Sequence, residues 1–191
     1  KRKITFPGLE DRIEALEELV FNELFYPKRN KLFSINYITS ELEFVLDGLI
    51  KDHDNLYRNE VLDLIHKLRL FGLHFASLDI RQDSRIHHNV FIDIISHSKI
   101  NDYLEGLPKD YLKLNDKERC KVLLDLKGDL PPKIFKNEMT YHTLKSIRAI
   151  KKIQKNNGER GCNRYIISNC QSLENILELF AMCRLSNWEK P

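Results

Sequence analysis

The run Phe71-Gly72-Leu73-His74-Phe75-Ala76-Ser77-Leu78 passes directly into Asp79-Ile80-Arg81-Gln82-Asp83-Ser84, so an apolar stretch ends in a cluster of charge. Successive side chains of a strand point to opposite faces. Leu73, Phe75, Ser77, Asp79 and Arg81 then share one face, and His74, Ala76, Leu78 and Ile80 the other. This predicts a buried strand with one aliphatic face and one that turns ionic toward its end. After Ser84, Val90, Phe91, Ile94 and Ile95 recur at helical spacing, which puts Arg81 to Ser84 at a strand-to-helix junction where loop amides and a helix N-terminus converge. A second strand-like run, Arg164-Tyr165-Ile166-Ile167-Ser168-Asn169, is followed by an N-cap candidate, Ser172, and by Ile176, Leu177, Leu179 and Phe180 as the apolar face of a last helix. With helices between the two runs and no hairpin signals, the fold class is mainly α with two short, parallel strands buried among helices.

The remaining text is helical. Leu9, Ile13, Leu16, Leu19, Val20 and Leu24 follow a helical period, which Pro27 ends. Ser34 caps a second segment carrying Ile38, Leu42, Val45, Leu46 and Leu49, and Asn59 caps a third with Val61, Leu62, Ile65 and Leu68 in its stripe, up to Gly72. Asn115 or Asp116 caps a helix toward Leu126, ended by Gly128 and Pro131-Pro132. A long helix from about Asn137 to Gln154 has Leu144, Ile147, Ile150 and Ile153 inside.

Charge and cysteine usage exclude several classes. The 31 Lys+Arg against 28 Asp+Glu give a net charge of +3, too even for a nucleic-acid partner. Cys120, Cys162, Cys170 and Cys183 show no paired spacing and read as reduced thiols of a cytosolic protein. The basic start, Lys1 to Pro7, precedes no apolar signal core, and no run approaches the ~20 apolar residues of a membrane span. The expectation is a soluble, cytoplasmic chain with no membrane partner.

Arg81 is the candidate for chemistry. A guanidinium at a strand end suits phosphate oxygens, and a structural ion pair with Asp79 or Asp83 explains it equally well. Gln82, Asp83 and Ser84 are expected to orient Arg81 or cap the next helix. His87 and His88 diverge on a helix and read as surface histidines, not metal ligands. Arg148, Lys151, Lys152 and Lys155 read as a solvated helix face, Cys170 as an inert buried thiol, and Trp188 as a residue packed on parts outside this chain.

The segment Leu78-Asp79-Ile80-Arg81-Gln82-Asp83-Ser84 resembles the signature Leu/Ile-Asp-Ile-Arg-Gln-Glu-Ser of phosphoenolpyruvate carboxylase, differing only at Asp83. Downstream, Tyr165-Ile166-Ile167-Ser168 is similar to that family's Tyr-Val-Ile-Ser. The resemblance implies a slice of a helix-rich β/α barrel from a longer enzyme, with residues 1–70 a helical lead-in and 71–191 two strand-helix units. The implied reaction joins bicarbonate to phosphoenolpyruvate with Mg2+ or Mn2+, giving oxaloacetate and phosphate. Arg81 is implied as the ligand of the substrate phosphate, with Asp79, Gln82, Asp83 and Ser84 supporting it, and the parent as a homo-oligomer, a tetramer. The family's segments for the catalytic histidine and for the metal ligands are not found here, so the chain alone is expected to be inactive and to hold no metal. After Ser168 the family's Met-small-Lys is replaced by Asn169, Cys170 and Gln171. The alternative is a non-catalytic helical binding or scaffold module derived from that fold.

Overall fold

The computed structural model describes residues 5–26 and 33–188. The chain divides after Ala76 into two compact units.

The first unit consists of α1 (Glu10–Phe25), α2 (Ile35–Asp52) and α3 (Arg58–Phe71). Helical periodicity brings Leu16 of α1, Ile38 and Leu42 of α2 and Ile65 of α3 into one cluster, and Leu9, Val45 and Leu49 into a second. Each such side chain, once buried, contributes about 1.5–3 kcal/mol. Ser34 caps α2 as expected, its Oγ accepting from the Tyr37 amide at 3.2 Å. The cap expected at Asn59 is not there: the cap position falls two residues earlier, on Tyr57 in the left-handed region at φ 59°, and α3 starts at Arg58. Tyr26 closes α1 by donating its amide to Asn22 O, and the stop expected at Pro27 lies outside the described residues. Ile13 and Leu24, expected inside, are exposed.

The buried strand expected from Phe71 onward is corrected. Helix α3 runs through Phe71 and ends on Gly72, whose φ is +57°. The residues after it form turns, Phe75 sits at φ 61°, and Phe75 and Leu78 are 77% and 70% exposed. Strand β1 begins only at Asp79 and ends at Asp83. Its partner explains the late start. Pairing begins at Asp79 opposite Arg164, and upstream of Arg164 the chain is a 3-10 turn, Glu159–Gly161. Single bonds from Ser77 Oγ to Arg160 O (2.6 Å) and from the Leu78 amide to Gly161 O (3.0 Å) meet that turn where a ladder would otherwise continue.

The second unit continues with α4 (Ser84–Ser96), β2 (Leu104–Glu105), α5 (Asp116–Asp125), β3 (Lys127–Gly128), α6 (Glu138–Asn157), β4 (Arg164–Ser168) and α7 (Leu173–Arg184). Strands β1 and β4 pair in parallel, in register Asp79 with Arg164 through Asp83 with Ser168. Ile80, Gln82, Tyr165 and Ile167 lie on the face that packs inward, with Tyr165 and Ile167 against the core. Arg81, Ile166 and Ser168 are exposed on the other, so the sheet is covered on one face only. The main core joins Val90, Phe91 and Ile94 of α4, Leu123 of α5, Leu144 and Ile147 of α6, and Ala181 and Met182 of α7.

Caps at Asn115, Asn137 and Ser172 start α5, α6 and α7, the first as a reciprocal capping box with Glu118. The β2–β3 pair, two residues long and antiparallel, had no sequence signal. Gly128, expected as a helix stop, belongs to it: at φ +142° a Cβ there would lie 2.2 Å from Tyr103 O. Three further expectations change. Ile153 and Ile176 are exposed. Arg148 binds Asp129 and the Leu130 carbonyl, and Lys151 the Asn187 carbonyl, so that helix face is partly used to hold the loops beside it. Trp188 packs on the core of this chain.

Candidate functional site

The candidate site is the open face of the two-stranded sheet and the loops at the C-terminal ends of its strands. Asp79, Arg81 and Asp83 alternate with Ile80 and Gln82 along β1, so they share a face with Arg164, Ile166 and Ser168 of β4. The Arg81 side chain is 72% exposed, and its one ion pair among the described residues is a long contact, Nη2 to Asp79 Oδ2 at 3.4 Å. Asp79 is held more closely from β4, with Arg164 Nε 2.9 Å from Oδ1. Asp79 therefore anchors two guanidinium groups on the open face.

Asp83 does not bind Arg81. Its carboxylate accepts from Arg85 at Nε (3.0 Å) and Nη2 (2.8 Å) and caps α4 through the Arg85 amide at 2.8 Å. These bonds to Arg85 hold the Asp83 carboxyl down at about 2, and raise the Arg85 guanidinium in turn. Ser84, buried, donates from Oγ to Asn169 O at 2.6 Å and so joins the end of β1 to the end of β4. Gln82 accepts at Oε1 from the Asp83 amide (3.0 Å) and at its backbone carbonyl from Ser168 Oγ (3.4 Å). Asn169 takes a left-handed conformation, φ 53°, which an asparagine tolerates better than most residues. Of the five residues singled out by sequence, Asp79 alone contacts Arg81 directly; Gln82, Asp83 and Ser84 shape the strand end and the helix start.

Two polar residues beneath this face were misplaced or missed. His87, expected on the surface, is fully buried. Its Nε2 is 2.9 Å from the Tyr165 hydroxyl, and burial pushes the imidazole down to about 4. Glu178 of α7 is also buried and meets His88 Nδ1 at 2.6 Å. The signal was in the spacing: His87 lies three, four and seven residues before the buried Val90, Phe91 and Ile94, and Glu178 stands in the same relation to Ala181, Met182 and Leu185. Cys170, expected buried, is exposed beside the strand end. Among the described residues no three His, Cys, Asp or Glu side chains converge as a metal would require. The described residues do not fit a divalent cation. No helix among the described residues is long and apolar enough to cross a membrane.

The family model described as phosphoenolpyruvate carboxylase matches residues 8–191. Among curated relatives, the phosphoenolpyruvate carboxylase of Prochlorococcus marinus subsp. pastoris is 30% identical over 155 residues, 79% of this chain and 15% of that protein. The enzyme of the same name from Synechococcus sp. is 31% identical over 129 residues, 65% of this chain and 12% of that protein. The chain thus corresponds to a small part of the length of the relatives it matches. A match that runs from the first helix through both strand ends places this chain in the phosphoenolpyruvate carboxylase family.

Proposed function

We propose that this chain is a slice of the catalytic β/α barrel of a phosphoenolpyruvate carboxylase and that Arg81 binds the phosphate of phosphoenolpyruvate there. The observation that carries the reading is the state of Arg81. Its guanidinium stands on the open sheet face with a single long ion-pair contact among the described residues, while the neighbouring Asp83 is engaged by Arg85 at both Nε and Nη2. A permanently charged planar fork in that position can pair with two phosphate oxygens at once. Its contribution is to orient the substrate and to stabilise charge as the phosphate departs. Asp79 steadies Arg81, and Gln82, Asp83 and Ser84 fix the backbone it rises from.

The intact enzyme adds bicarbonate to phosphoenolpyruvate and releases oxaloacetate and phosphate. Mg2+ or Mn2+ and the acid-base groups come from other segments of the parent, so the isolated chain is inactive. The parent is a cytoplasmic homo-oligomer, a tetramer. Parallel sheets are ordinarily covered on both faces and extended by further strands. The one-sided cover of β1 and β4 and the exposure of Leu78 and Ile166 fit a sheet whose neighbours lie in the rest of the barrel. By this reading residues 1–70 lead in and 71–191 supply two strand-helix units.

The kinetic test is Arg81→Lys in the intact enzyme. The charge remains and the fork is lost, so KM for phosphoenolpyruvate rises roughly tenfold or more, the loss of one charge-assisted hydrogen bond. An unchanged KM overturns the role.

A further inference from the structure

Glu178 is the deepest carboxylate of the second unit, with its side chain 1% exposed against 47% for its partner His88. His88 Nδ1 lies 2.6 Å from Glu178 Oε1, and Glu178 Oε2 is buried with no hydrogen-bond partner among the described residues. One member of the pair thus reaches solvent and the other does not. The surroundings compensate the carboxylate only in part. Arg119 of α5 attracts it and Glu174, one turn earlier in α7, repels it, and the Arg119 charge is shared with Asp116 and Glu174. Tyr111 brings a buried hydroxyl, itself without a partner, near the same carboxylate. His87 on α4 is bound to Tyr165. The buried residues of α6, which packs on both α4 and α7, are Thr140, Thr143, Leu144, Ile147 and Ile150, none of them ionisable.

A carboxylate so placed depends on its partner's proton. Burial pushes the Glu178 carboxyl up from its ordinary 4.5, and the His88 bond opposes that rise. A carboxyl raised in the folded state stabilises the fold most below its ordinary value, and that stability is lost as pH climbs.

We infer that His88 and Glu178 form a proton-operated clip between α4 and α7. With its proton, the pair presents either a neutral carboxyl or a carboxylate matched by an imidazolium, and the two helices stay docked. Without it, a buried carboxylate is left with only a neutral imidazole beside it and no matching charge from its partner, which disfavours the docked arrangement. Helix α4 starts at the C-terminal end of β1, and α7 follows the loop that leaves β4. The clip therefore couples the seating of both strand ends to pH. Neither residue lies on the open sheet face, so this inference is independent of the role proposed for Arg81.

The test is denaturant unfolding of the wild type, Glu178→Gln and His88→Gln from about pH 4.5, the ordinary glutamate value, up to about pH 8. The folding equilibrium constant of the wild type falls relative to Glu178→Gln by about tenfold across that range, one pKa unit of differential protonation. Referring each profile to Glu178→Gln removes the contributions of His87 and Asp83. His88→Gln, which keeps a donor but no titrating charge, is weaker than the wild type near neutral pH and recovers on acidification. Parallel pH profiles for wild type and Glu178→Gln overturn the clip. Should Glu178→Gln fail to fold, the carbon-13 shift of the Glu178 carboxyl in the wild type decides: titration above the ordinary glutamate range supports the clip, and titration within it overturns it.

Discussion

Arg85, two residues beyond the strand, closes on Asp83 with both Nε and Nη2 at 3.0 and 2.8 Å, and so takes the carboxylate that Arg81 would otherwise find on its own strand face. That pairing leaves Arg81 with Asp79 at 3.4 Å as its only ion-pair partner among the described residues. A cation engaged so loosely is available to an incoming anion.

The Asp83 pairing has a signature at low pH. With its carboxyl held at about 2, below the ordinary 3.8, Asp83 contributes stability that is fully present above about pH 4 and lost as the pH falls toward 2. Asp83→Asn keeps an oxygen to cap α4 but loses the charge. Its unfolding midpoint is therefore expected to vary less than that of the wild type between about pH 4 and pH 2. Denaturant titrations of the two proteins over that range make the comparison.

His87 gives a second, separable pH effect. Its folded value of about 4 lies below the ordinary 6.5, so the unfolded chain takes up the proton first, and stability falls as pH drops from about 6.5 to 4. The shift corresponds to about 3 kcal/mol across that window. Tyr165→Phe removes the partner of Nε2 while Nδ1 already lacks one. Leaving the ring without a hydrogen bond costs about 1–3 kcal/mol at neutral pH, read as a lower denaturant midpoint.

The depth of the second core can be tested at Phe91, which is fully buried and meets the Tyr111 ring edge-on at 5.7 Å. Phe91→Ala is expected to cost about 3–5 kcal/mol. In the first unit, Leu24→Ala, at an exposed position, is expected to stay within about 0.5 kcal/mol of the wild type. Urea unfolding of both variants measures the contrast.

Much of this architecture was legible because it rests on local chemistry. Ser34, Asn115 and Ser172 cap the helices that follow them, and the parallel pairing of β1 with β4 follows from helices lying between the runs. The start of β1 was not legible. Apolar alternation from Phe71 to Leu78 satisfies a strand pattern, but a strand needs a partner, and the turn Glu159–Gly161 on the partner side removes the ladder. Burial of His87 and Glu178 was hidden by their polarity: each occupies an apolar stripe position and relies on a partner distant in sequence, Tyr165 or His88. The alternation of Asp79 and Arg81 did indicate that they share a face, whereas the choice of Asp83 for Arg85 is set by the first turn of α4, where the side chain can cap and pair together.

Equilibrium binding of phosphoenolpyruvate to the intact enzyme as wild type, Arg81→Lys and Arg81→Gln tests the proposed phosphate-binding role of Arg81 most directly. The prediction is a graded loss, about tenfold or more for the lysine, which keeps a point charge, and larger for the glutamine, which keeps neither charge nor fork, with circular dichroism unchanged. Equal affinity in all three proteins would contradict it.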